Sequence, residues 1–238
     1  MNDRYAGDRA DRVHSRPPVS EVWVVVPAHN EEEHIAASLE AILRSARAAG
    51  VPFTVTVVLD DCTDRTADRI PTGVRSVVVS ERSAGAARRA GMLGAPAGRG
   101  VWYATTDADS LVPVHWLSTI IASADEHDVV AGTIRVADWA GRDDRVRQHH
   151  DHGYRARAGH GHIHGANLAV SAAAYHHVGG FRPMPEHEDV DLVSRCLAAG
   201  LVVDWSDSAP VITSARRFNR VGGGFGGLLN RLEEGLTP

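Results

Sequence analysis

The stretch Val22-Trp23-Val24-Val25-Val26 is an unbroken run of β-branched and aromatic side chains. Such a run is typical of a strand that is buried on both faces of a sheet. Pro27-Ala28-His29-Asn30 ends it, and apolar side chains then recur at helical spacing as far as Gly50. Those apolar residues are Ile35, Leu39, Ile42 and Leu43. The segment therefore predicts a strand followed by a helix, with Asn30 and Glu33 forming a capping box at the helix start.

The same alternation of strand and helix continues along the chain. Further strands are predicted at 55–59, 77–79, 101–105, 129–136, 167–170, 201–205 and 211–213. Helices are predicted at 66–70, 85–93, 113–124, 172–178 and 186–199. This order predicts an α/β fold with a mostly parallel, doubly wound sheet and helices on both faces. Functional groups are then expected at the carboxyl ends of the strands.

Length and local composition indicate one domain. The chain has 238 residues, enough for one α/β domain with a substantial core. We predict a disordered leader at 1–20, a single domain at 21–220 and a flexible, glycine-rich tail at 221–238. Segment 138–164 is rich in Arg, His and Gly, has little periodicity, and is predicted to be a loop with an irregular helix.

Composition and charge exclude several classes of protein. The net charge of −5 gives no overall basic field for nucleic acid. The chain has no lysine, which excludes a Schiff-base lysine and a P-loop lysine. No apolar run reaches the length of a membrane span, and the polar first residues do not resemble a signal peptide. Cys62 and Cys196 lie far apart and suggest no disulfide, so a reducing cytoplasm is expected.

Pairs of aspartates follow two of the predicted strands. Asp107-Ala108-Asp109 comes just after the strand at 101–105, and Asp60-Asp61 closes the strand at 55–59. Two carboxylates separated by one residue are a natural seat for Mg²⁺ or Mn²⁺, which can carry phosphates into a site. Asp60 can accept a hydrogen bond from a base or a ribose. The alternative for Asp60 and Asp61 is that they only cap the loop.

Five segments resemble, in order, the motifs of family 2 glycosyltransferases. They are Val26-Pro27-Ala28-His29-Asn30-Glu31-Glu32, Asp60-Asp61-Cys62-Thr63-Asp64-Arg65-Thr66, Asp107-Ala108-Asp109, His164-Gly165-Ala166-Asn167-Leu168-Ala169-Val170, and Glu188-Asp189-Val190-Asp191-Leu192 followed by Arg195. The second is similar to the motif DDGSTDGT, with Cys62 in place of glycine, and the third matches DXD. The resemblance implies the GT-A fold, with a Rossmann-like nucleotide-binding half at about 21–135 and an acceptor half at about 136–220.

The resemblance also implies roles for the acidic residues. Asp109 would bind the metal, and Asp107 would contact the ribose or a metal-bound water. Asp189 would be the general base, because displacement at an anomeric carbon requires the acceptor hydroxyl to lose its proton. Glu188 would orient Asp189 or bind an acceptor hydroxyl. The residues expected to line the nucleotide pocket are Pro27, His29, Glu31 and Asp60.

Other residues keep two interpretations at this stage. Arg88 and Arg216 can reach the diphosphate, or they can face solvent or form surface ion pairs. Asp191 can bind the acceptor or only stabilise the first turn of its helix. The alternating histidines at 160–164 can hold zinc if the chain is extended there, or they belong to an acceptor loop. The remaining residues expected to bind the acceptor are His164, Gly165 and Asn167.

Together these features predict a metal-dependent glycosyltransferase. It would move a sugar from a UDP- or GDP-linked donor to a hydroxyl acceptor, with the inversion that the last motif implies. The acceptor is a small molecule or is lipid-linked, and a lipid-linked acceptor would bring the enzyme to the membrane periphery. One alternative is a sugar-phosphate nucleotidyltransferase, although a glycine-rich phosphate loop is missing after the first strand. The other is a catalytically silent nucleotide-sugar-binding protein.

Overall fold

The run that begins at Val22 lies at the centre of one sheet in a computed structural model, which describes residues 16–139, 141–154, 156–214 and 233–235. Seven strands occur in these residues: β1 (Glu21–Ala28), β2 (Phe53–Asp60), β3 (Arg75–Val79), β4 (Val101–Thr105), β5 (Val129–Asp138), β6 (Leu168–Ser171) and β7 (Val203–Ser214). Their order in the sheet is β3-β2-β1-β4-β6-β5-β7. β1 thus has a strand on each side, and all five residues of the run are buried, as their composition predicts.

All of these strands run in one direction except β6. β1 pairs in parallel with β2 and β4, β2 with β3, and β5 with β7, whereas β6 is antiparallel to β4 and β5. The predicted mostly parallel sheet is confirmed. Because β6 is reversed, its first residue, Leu168, pairs with Thr105 at the end of β4. The segment before β6 therefore reaches the same edge of the sheet as the carboxyl ends of the parallel strands.

Helices cover both faces of the sheet and create two cores. The described helices are α1 (Ile35–Ala49), α2 (Ala84–Met92), α3 (Trp116–Ser123), α4 (Asp144–Gly153), α5 (Ala172–His177) and α6 (Glu188–Ala198). Alternate side chains of β1 enter the two cores: Val24 packs with α1 and α3, and Val25 packs with α2, α5 and α6. Short 3₁₀ turns at Ala67–Arg69 and Gly165–Asn167 complete the described elements. None of the described helices is long and apolar enough to cross a membrane.

The two late strands predicted at 201–205 and 211–213 form one strand, β7. Gly132 and Ile134 of β5 pair with Ser206 and Val211, so β7 carries extra residues between these pairs. Pro210 lies in this irregular stretch, and a proline is tolerated there because β7 is an edge strand. The polar residues of the irregular stretch gave the appearance of a loop between two strands.

The predicted capping box at the start of α1 is wrong. The helix begins at Ile35, and its N-cap residue, His34, makes no side-chain capping bond. Asn30 instead has a left-handed backbone (φ 56°), and its Oδ1 accepts hydrogen bonds from the N–H groups of Thr63 (2.7 Å) and Asp64 (3.2 Å). The side chain that was expected to cap a helix joins the loop after β1 to the loop after β2.

The ends of the chain lie partly outside the described residues. Residues 16–20 belong to the predicted leader, yet Arg16 binds Asp128 (2.8 Å) and Ser20 N–H donates to the carbonyl of Gly100 (2.8 Å). These residues contact the domain, whereas the remainder of the predicted leader, 1–15, lies outside the described residues. Of the predicted tail, only 233–235 are described, and Glu233 contacts Arg142 of the domain (3.1 Å).

The fold predicts that the two cysteines differ in reactivity. Cys196 on α6 is fully buried, and burial raises the pKa of its thiol to about 11. Burial also raises the pKa of Cys62, but that side chain is half-buried. Because the thiolate is the reactive form, Ellman's reagent at pH 8 should titrate Cys62 slowly in the native protein and Cys196 only after unfolding in guanidinium. The variant Cys62→Ser should leave no reactive thiol in the native state, and rapid labelling of that variant would contradict the packing of α6.

Candidate active site

A tight turn after β4 presents two aspartates at the carboxyl edge of the sheet. The carbonyl of Asp107 accepts hydrogen bonds from Ser110 N–H (3.1 Å) and from the Ser38 hydroxyl (3.2 Å). Ala108 is 3% exposed and packs into the core, whereas Asp107 and Asp109 on either side of it are half-buried. The buried alanine thus fixes the turn and keeps both carboxylates at its surface.

Asp60, the last residue of β2, holds the turn between β3 and α2. Its Oδ1 accepts from the N–H groups of Glu81 (2.7 Å) and Arg82 (2.9 Å), and its Oδ2 accepts from Ser83 N–H (3.0 Å). The side chain is 4% exposed. Since a carboxylate has about four acceptor positions, one position remains on Oδ2. The structure therefore gives Asp60 a structural role, and the contact with a nucleotide stays a prediction.

The residues predicted to line the nucleotide pocket lie at the end of β1 and in the turn after it. His29 Nδ1 is 2.6 Å from the carbonyl oxygen of Asp60, and Glu31 N–H donates to the Thr66 hydroxyl (2.7 Å). Pro27 and His29 are half-buried, and Glu31 is buried. The turn after β1 and the loop after β2 therefore form one wall next to Asp60.

Cys62, where the sequence departs from the family motif, needs no glycine-like backbone. The left-handed residue of this loop is Asp61 (φ 52°), and Cys62 does not have a positive φ. The thiol accepts from Asn30 N–H (3.5 Å) and donates to the carbonyl of Ala28 (3.3 Å). Cys62 thus adds a second link between the two loops and leaves the turn at Asp60 intact.

Arg88 on α2 lies inside the protein between carboxylates of two motifs. Its Nη2 donates to Asp107 Oδ1 (2.6 Å), its Nη1 to Glu188 Oε1, and its Nε to the Thr105 hydroxyl (3.0 Å). The residue is 3% exposed. Each guanidinium nitrogen donates to the protein, so the structure gives Arg88 a structural role, and its contact with the diphosphate stays a prediction. The Arg88 side chain is thus part of a buried ion-pair network with Asp107 and Glu188.

The first turn of α6 carries Glu188 and Asp189. Glu188 is 7% exposed, and its Oε1 is bound by Arg88. These contacts suit the orienting role better than contact with an acceptor hydroxyl, and both roles stay predictions. Asp189 is half-buried. Its Oδ2 accepts from Gly165 N–H (2.7 Å), and its Oδ1 accepts from Val190 N–H (2.8 Å). These bonds fix Asp189 between α6 and the segment before β6.

The site gathers more negative charge than one arginine balances. Burial raises the pKa of Asp107 against the opposing effect of Arg88, and the nearby Asp189 and Glu31 raise it further. Burial likewise raises the pKa of Glu188, again against Arg88 and with contributions from Asp189 and Asp107. Mutual repulsion of this kind disfavours the charged forms, and a further cation would relieve it.

The donor set fits a cation that phosphates help to hold. No group of three or more His, Cys, Asp or Glu side chains in the described part of the chain could hold a metal ion alone. Magnesium is commonly bound by one or two carboxylates together with substrate phosphates. Asp109, half-buried in the turn after β4, has a carboxylate of the kind used in such sites. The prediction of a metal at Asp109 therefore fits this arrangement but remains a prediction.

Asn167 belongs to the interior. It is 5% exposed; its Oδ1 accepts from Trp116 Nε1 (2.8 Å), and its Nδ2 donates to the carbonyls of Thr133 (2.8 Å) and Ala209 (3.0 Å). Both amide hydrogens are used within the protein, so the structure gives Asn167 a structural role, and acceptor binding by this residue stays a prediction. The amide joins α3, β5 and the irregular part of β7, and a Cβ on Gly132 would lie 2.2 Å from its Nδ2.

The contacts of Asp191 agree with the interpretation that it stabilises the first turn of its helix. Its Oδ2 accepts from Arg195 Nη2 (2.6 Å), and its Oδ1 accepts from Arg182 Nη1 (3.2 Å). The hydrogen bond from Arg195 is the main cause that lowers the pKa of Asp191. Arg195 also donates to the carbonyl of Gly180 (2.7 Å), so this pair anchors α6. Acceptor binding by Asp191 stays a prediction, and Arg216 lies outside the described residues.

The histidine run forms a stack of rings. His160 and His162 stack at 5.4 Å between centroids, His162 stacks on Tyr154 at 4.4 Å, and His164 Nε2 is 3.1 Å from the Tyr154 hydroxyl. Both nitrogens of His160 are engaged, because Nδ1 accepts from His162 N–H (2.8 Å) and Nε2 is 3.3 Å from the carbonyl oxygen of Ser206. Zinc would have to break these bonds, and the assignment of the run to an acceptor loop stays a prediction.

Sequence reasoning missed Tyr154 and the role of Thr105. The Tyr154 hydroxyl accepts from Ile134 N–H (2.9 Å) and holds His164 beside Gly165. No periodicity in segment 138–164 marks this tyrosine. Thr105 ends a strand that was predicted correctly, but its bond to Arg88 crosses between two elements and leaves no local signal.

Comparisons with known proteins agree with this architecture. The family model described as glycosyl transferase family 2 matches residues 23–182. A search of the curated proteins gave no significant match.

Two solved structures illustrate the likeness of the fold. TarS 1–349 of S. aureus, in complex with UDP-GlcNAc, has a TM-score of 0.65 and 15% identity over 86% of this chain and 61% of that chain. The mannosyltransferase PcManGT from Pyrobaculum calidifontis, in complex with GDP-Man and Mn²⁺, has a TM-score of 0.67 and 18% identity over 87% of this chain and 60% of that chain. The present chain thus spans about three fifths of each of these chains.

The bonds of Asp60 predict a loss of stability on conversion to an amide. In Asp60→Asn, an NH₂ group faces backbone N–H groups, so the free energy of unfolding should fall by about 1–3 kcal/mol. Urea denaturation followed by circular dichroism measures the change. The matched control is Asp61→Asn, whose exposed pair with Arg82 should change stability by less than about 1 kcal/mol. Equal urea midpoints for Asp60→Asn and the wild type would show that the hydrogen bonds of Asp60 do not stabilise the turn between β3 and α2.

Proposed function

The chain belongs to glycosyl transferase family 2, and on this premise we propose that it moves a sugar from a nucleoside-diphosphate sugar to a hydroxyl acceptor with inversion, using Asp189 as the general base. The observation that carries the proposal is the meeting of two distant motifs: Arg88 binds Asp107 of the first and Glu188 of the second. This contact brings the donor-side turn next to the residue that precedes Asp189. A base and a leaving group can then act on one anomeric carbon.

The donor is proposed to lie along the wall beside Asp60. The remaining acceptor position of Asp60 suits a base N–H or a ribose hydroxyl, with Pro27, His29 and Glu31 nearby. TarS and PcManGT were solved with UDP-GlcNAc and GDP-Man, respectively, which supports a nucleoside-diphosphate donor. They do not favour one base over the other for this chain.

A divalent cation, Mn²⁺ or Mg²⁺, is proposed at Asp109, with Asp107 at the ribose or at a metal-bound water. When bound, such an ion offsets the negative charge of the departing nucleoside diphosphate. Support comes from the half-buried carboxylate of Asp109 and from the excess negative charge around Asp107. The Mn²⁺ in the PcManGT complex supports a metal within this fold.

The proposed reaction is a single displacement. Asp189 accepts the proton of the acceptor hydroxyl while the oxygen of that hydroxyl forms a bond to the anomeric carbon. At the same time, the bond from this carbon to the diphosphate oxygen breaks. The nucleoside diphosphate leaves from the face opposite to the acceptor, so the configuration inverts. The N–H bonds from Gly165 and Val190 hold the Asp189 carboxylate in one orientation, which favours proton transfer along one direction.

The acceptor is proposed to lie beside His164 and Gly165, next to the stacked rings of Tyr154 and His162. These side chains are half-buried and border the residue that binds Asp189. A small molecule and a lipid-linked hydroxyl both remain compatible with this edge of the sheet. The family match favours transfer over the nucleotidyltransferase alternative.

Turnover with a panel of UDP- and GDP-sugars and Mn²⁺ tests the proposal. The wild type should release nucleoside diphosphate, and NMR should show an inverted anomeric centre in the product. Asp189→Asn should lower kcat by about 10²–10⁴-fold, because it removes the base, and should leave nucleotide affinity unchanged. Asp109→Ala should remove the dependence of rate on Mn²⁺.

The matched control for both variants is Asp125→Asn, an exposed residue after α3, which should behave as the wild type. Full turnover by Asp189→Asn, or retention of configuration, would refute the mechanism. Nucleotide binding by calorimetry without diphosphate release from any donor would instead indicate a catalytically silent binder.

A further inference from the structure

Arg88 connects elements that come from both halves of the site. Its three guanidinium nitrogens donate to Thr105 at the end of β4, to Asp107 in the following turn and to Glu188 at the start of α6. These partners lie 17, 19 and 100 residues away in sequence. A single buried cation thus holds the donor-side turn against the acceptor-side helix.

The face of the guanidinium supports the segment that orients the base. A Cβ placed on Gly165 would lie 2.5 Å from Arg88 Nη2 and 2.7 Å from Cζ, so the backbone of Gly165 rests directly on the guanidinium. The N–H of the same glycine donates to Asp189 Oδ2 (2.7 Å). Arg88 therefore contacts both supports of Asp189, the residue before it in α6 and the glycine that binds its carboxylate.

The packing leaves almost none of Arg88 exposed to solvent. The residue is 3% exposed, and the Phe181 ring lies 6.0 Å from Cζ. Arginine suits this position because its planar fork carries donors in several fixed directions, whereas lysine offers one point charge on a flexible stem. The contacts call for a group that can bind Thr105, Asp107 and Glu188 at once.

We infer that Arg88 is a positioning residue that couples the donor and acceptor halves: it holds Asp107 against Glu188 and, through Gly165, sets the orientation of Asp189. This role rests on the proposed function where it concerns catalysis, because Asp189 is the proposed base. It assigns Arg88 to the chemical step rather than to binding of the diphosphate. Loss of Arg88 should therefore lower turnover much more than donor affinity.

Binding and turnover separate this role from a phosphate contact. In Arg88→Ala, calorimetry with UDP or GDP and Mn²⁺ should give a Kd within about threefold of the wild type, whereas kcat should fall at least about 100-fold because the base is misplaced. Rates are divided by the concentration of nucleotide-binding sites, so unfolded protein does not contribute. Arg88→Lys should recover part of kcat. The matched control is Arg89→Ala, the exposed neighbour on α2, which should change neither quantity.

A second variant keeps every charge and places a methyl group against the guanidinium. Gly165→Ala forces Arg88 to shift, because the new methyl group cannot occupy the same space. It should show the same fall in kcat with little change in Kd. Gly153→Ala is its control, since nothing lies within 4 Å of a Cβ there. Gly165→Ala and its control test the positioning role of Arg88 if Arg88→Ala fails to fold.

Hydrogen exchange gives a readout that needs no turnover. Peptides that cover 164–167 and 187–191 should exchange faster in Arg88→Ala or Gly165→Ala than in their controls, whereas β1 and β2 should not change. Unchanged exchange in both segments, or a Kd raised tenfold or more at unchanged kcat, would overturn the positioning role. A wild type that releases diphosphate from no donor would refute the proposed function alone, because exchange would still report the coupling.

Discussion

The parallel pairing of β1 with β2 and β4 is the constraint on which the site depends. It places the ends of three strands side by side, so the turn after β1, the residue that closes β2 and the aspartates after β4 share one edge. These three segments are far apart in the sequence. Their polar side chains meet only because the hydrogen-bonded register of the sheet aligns the strand ends.

The cost of this arrangement is the concentration of acidic groups at a partly buried edge. Arg88 offsets part of it, and the pKa of Asp107 and of Glu188 is nevertheless raised by burial. A buried ion pair of this kind contributes little net stability compared with an apolar core, but removal of one partner leaves an uncompensated charge. The network is therefore better understood as a device that fixes the relative position of two motifs than as a source of folding energy.

Much of the fold could be predicted from the sequence because the strands and helices follow from local patterns of apolar residues. The run at Val22–Val26 and the helical spacing after it each depend on neighbouring residues alone, and the mostly parallel sheet then follows from the alternation of strands and helices. The site was predicted less completely. Asn30, Arg88 and Asn167 were each given a role from the nearest motif. Yet the partners of Asn30 Oδ1, of the Arg88 guanidinium and of the Asn167 amide lie at least 33, 17 and 34 residues away, respectively. Side chains of this kind are assigned by tertiary contacts, for which the sequence carries no period.

The reversed strand β6 has a consequence for how proteins with this architecture can diversify. The sheet fixes β5 at one end of the intervening segment and Leu168 at the other, through backbone pairing that does not depend on side-chain identity. Segment 139–164 connects these two fixed points at the edge formed by the carboxyl ends of the parallel strands. Its length is not set by the register of any strand. Insertions or exchanges there are tolerated at small entropic cost. A change in this segment can therefore alter what reaches Asp189 without moving the wall beside Asp60.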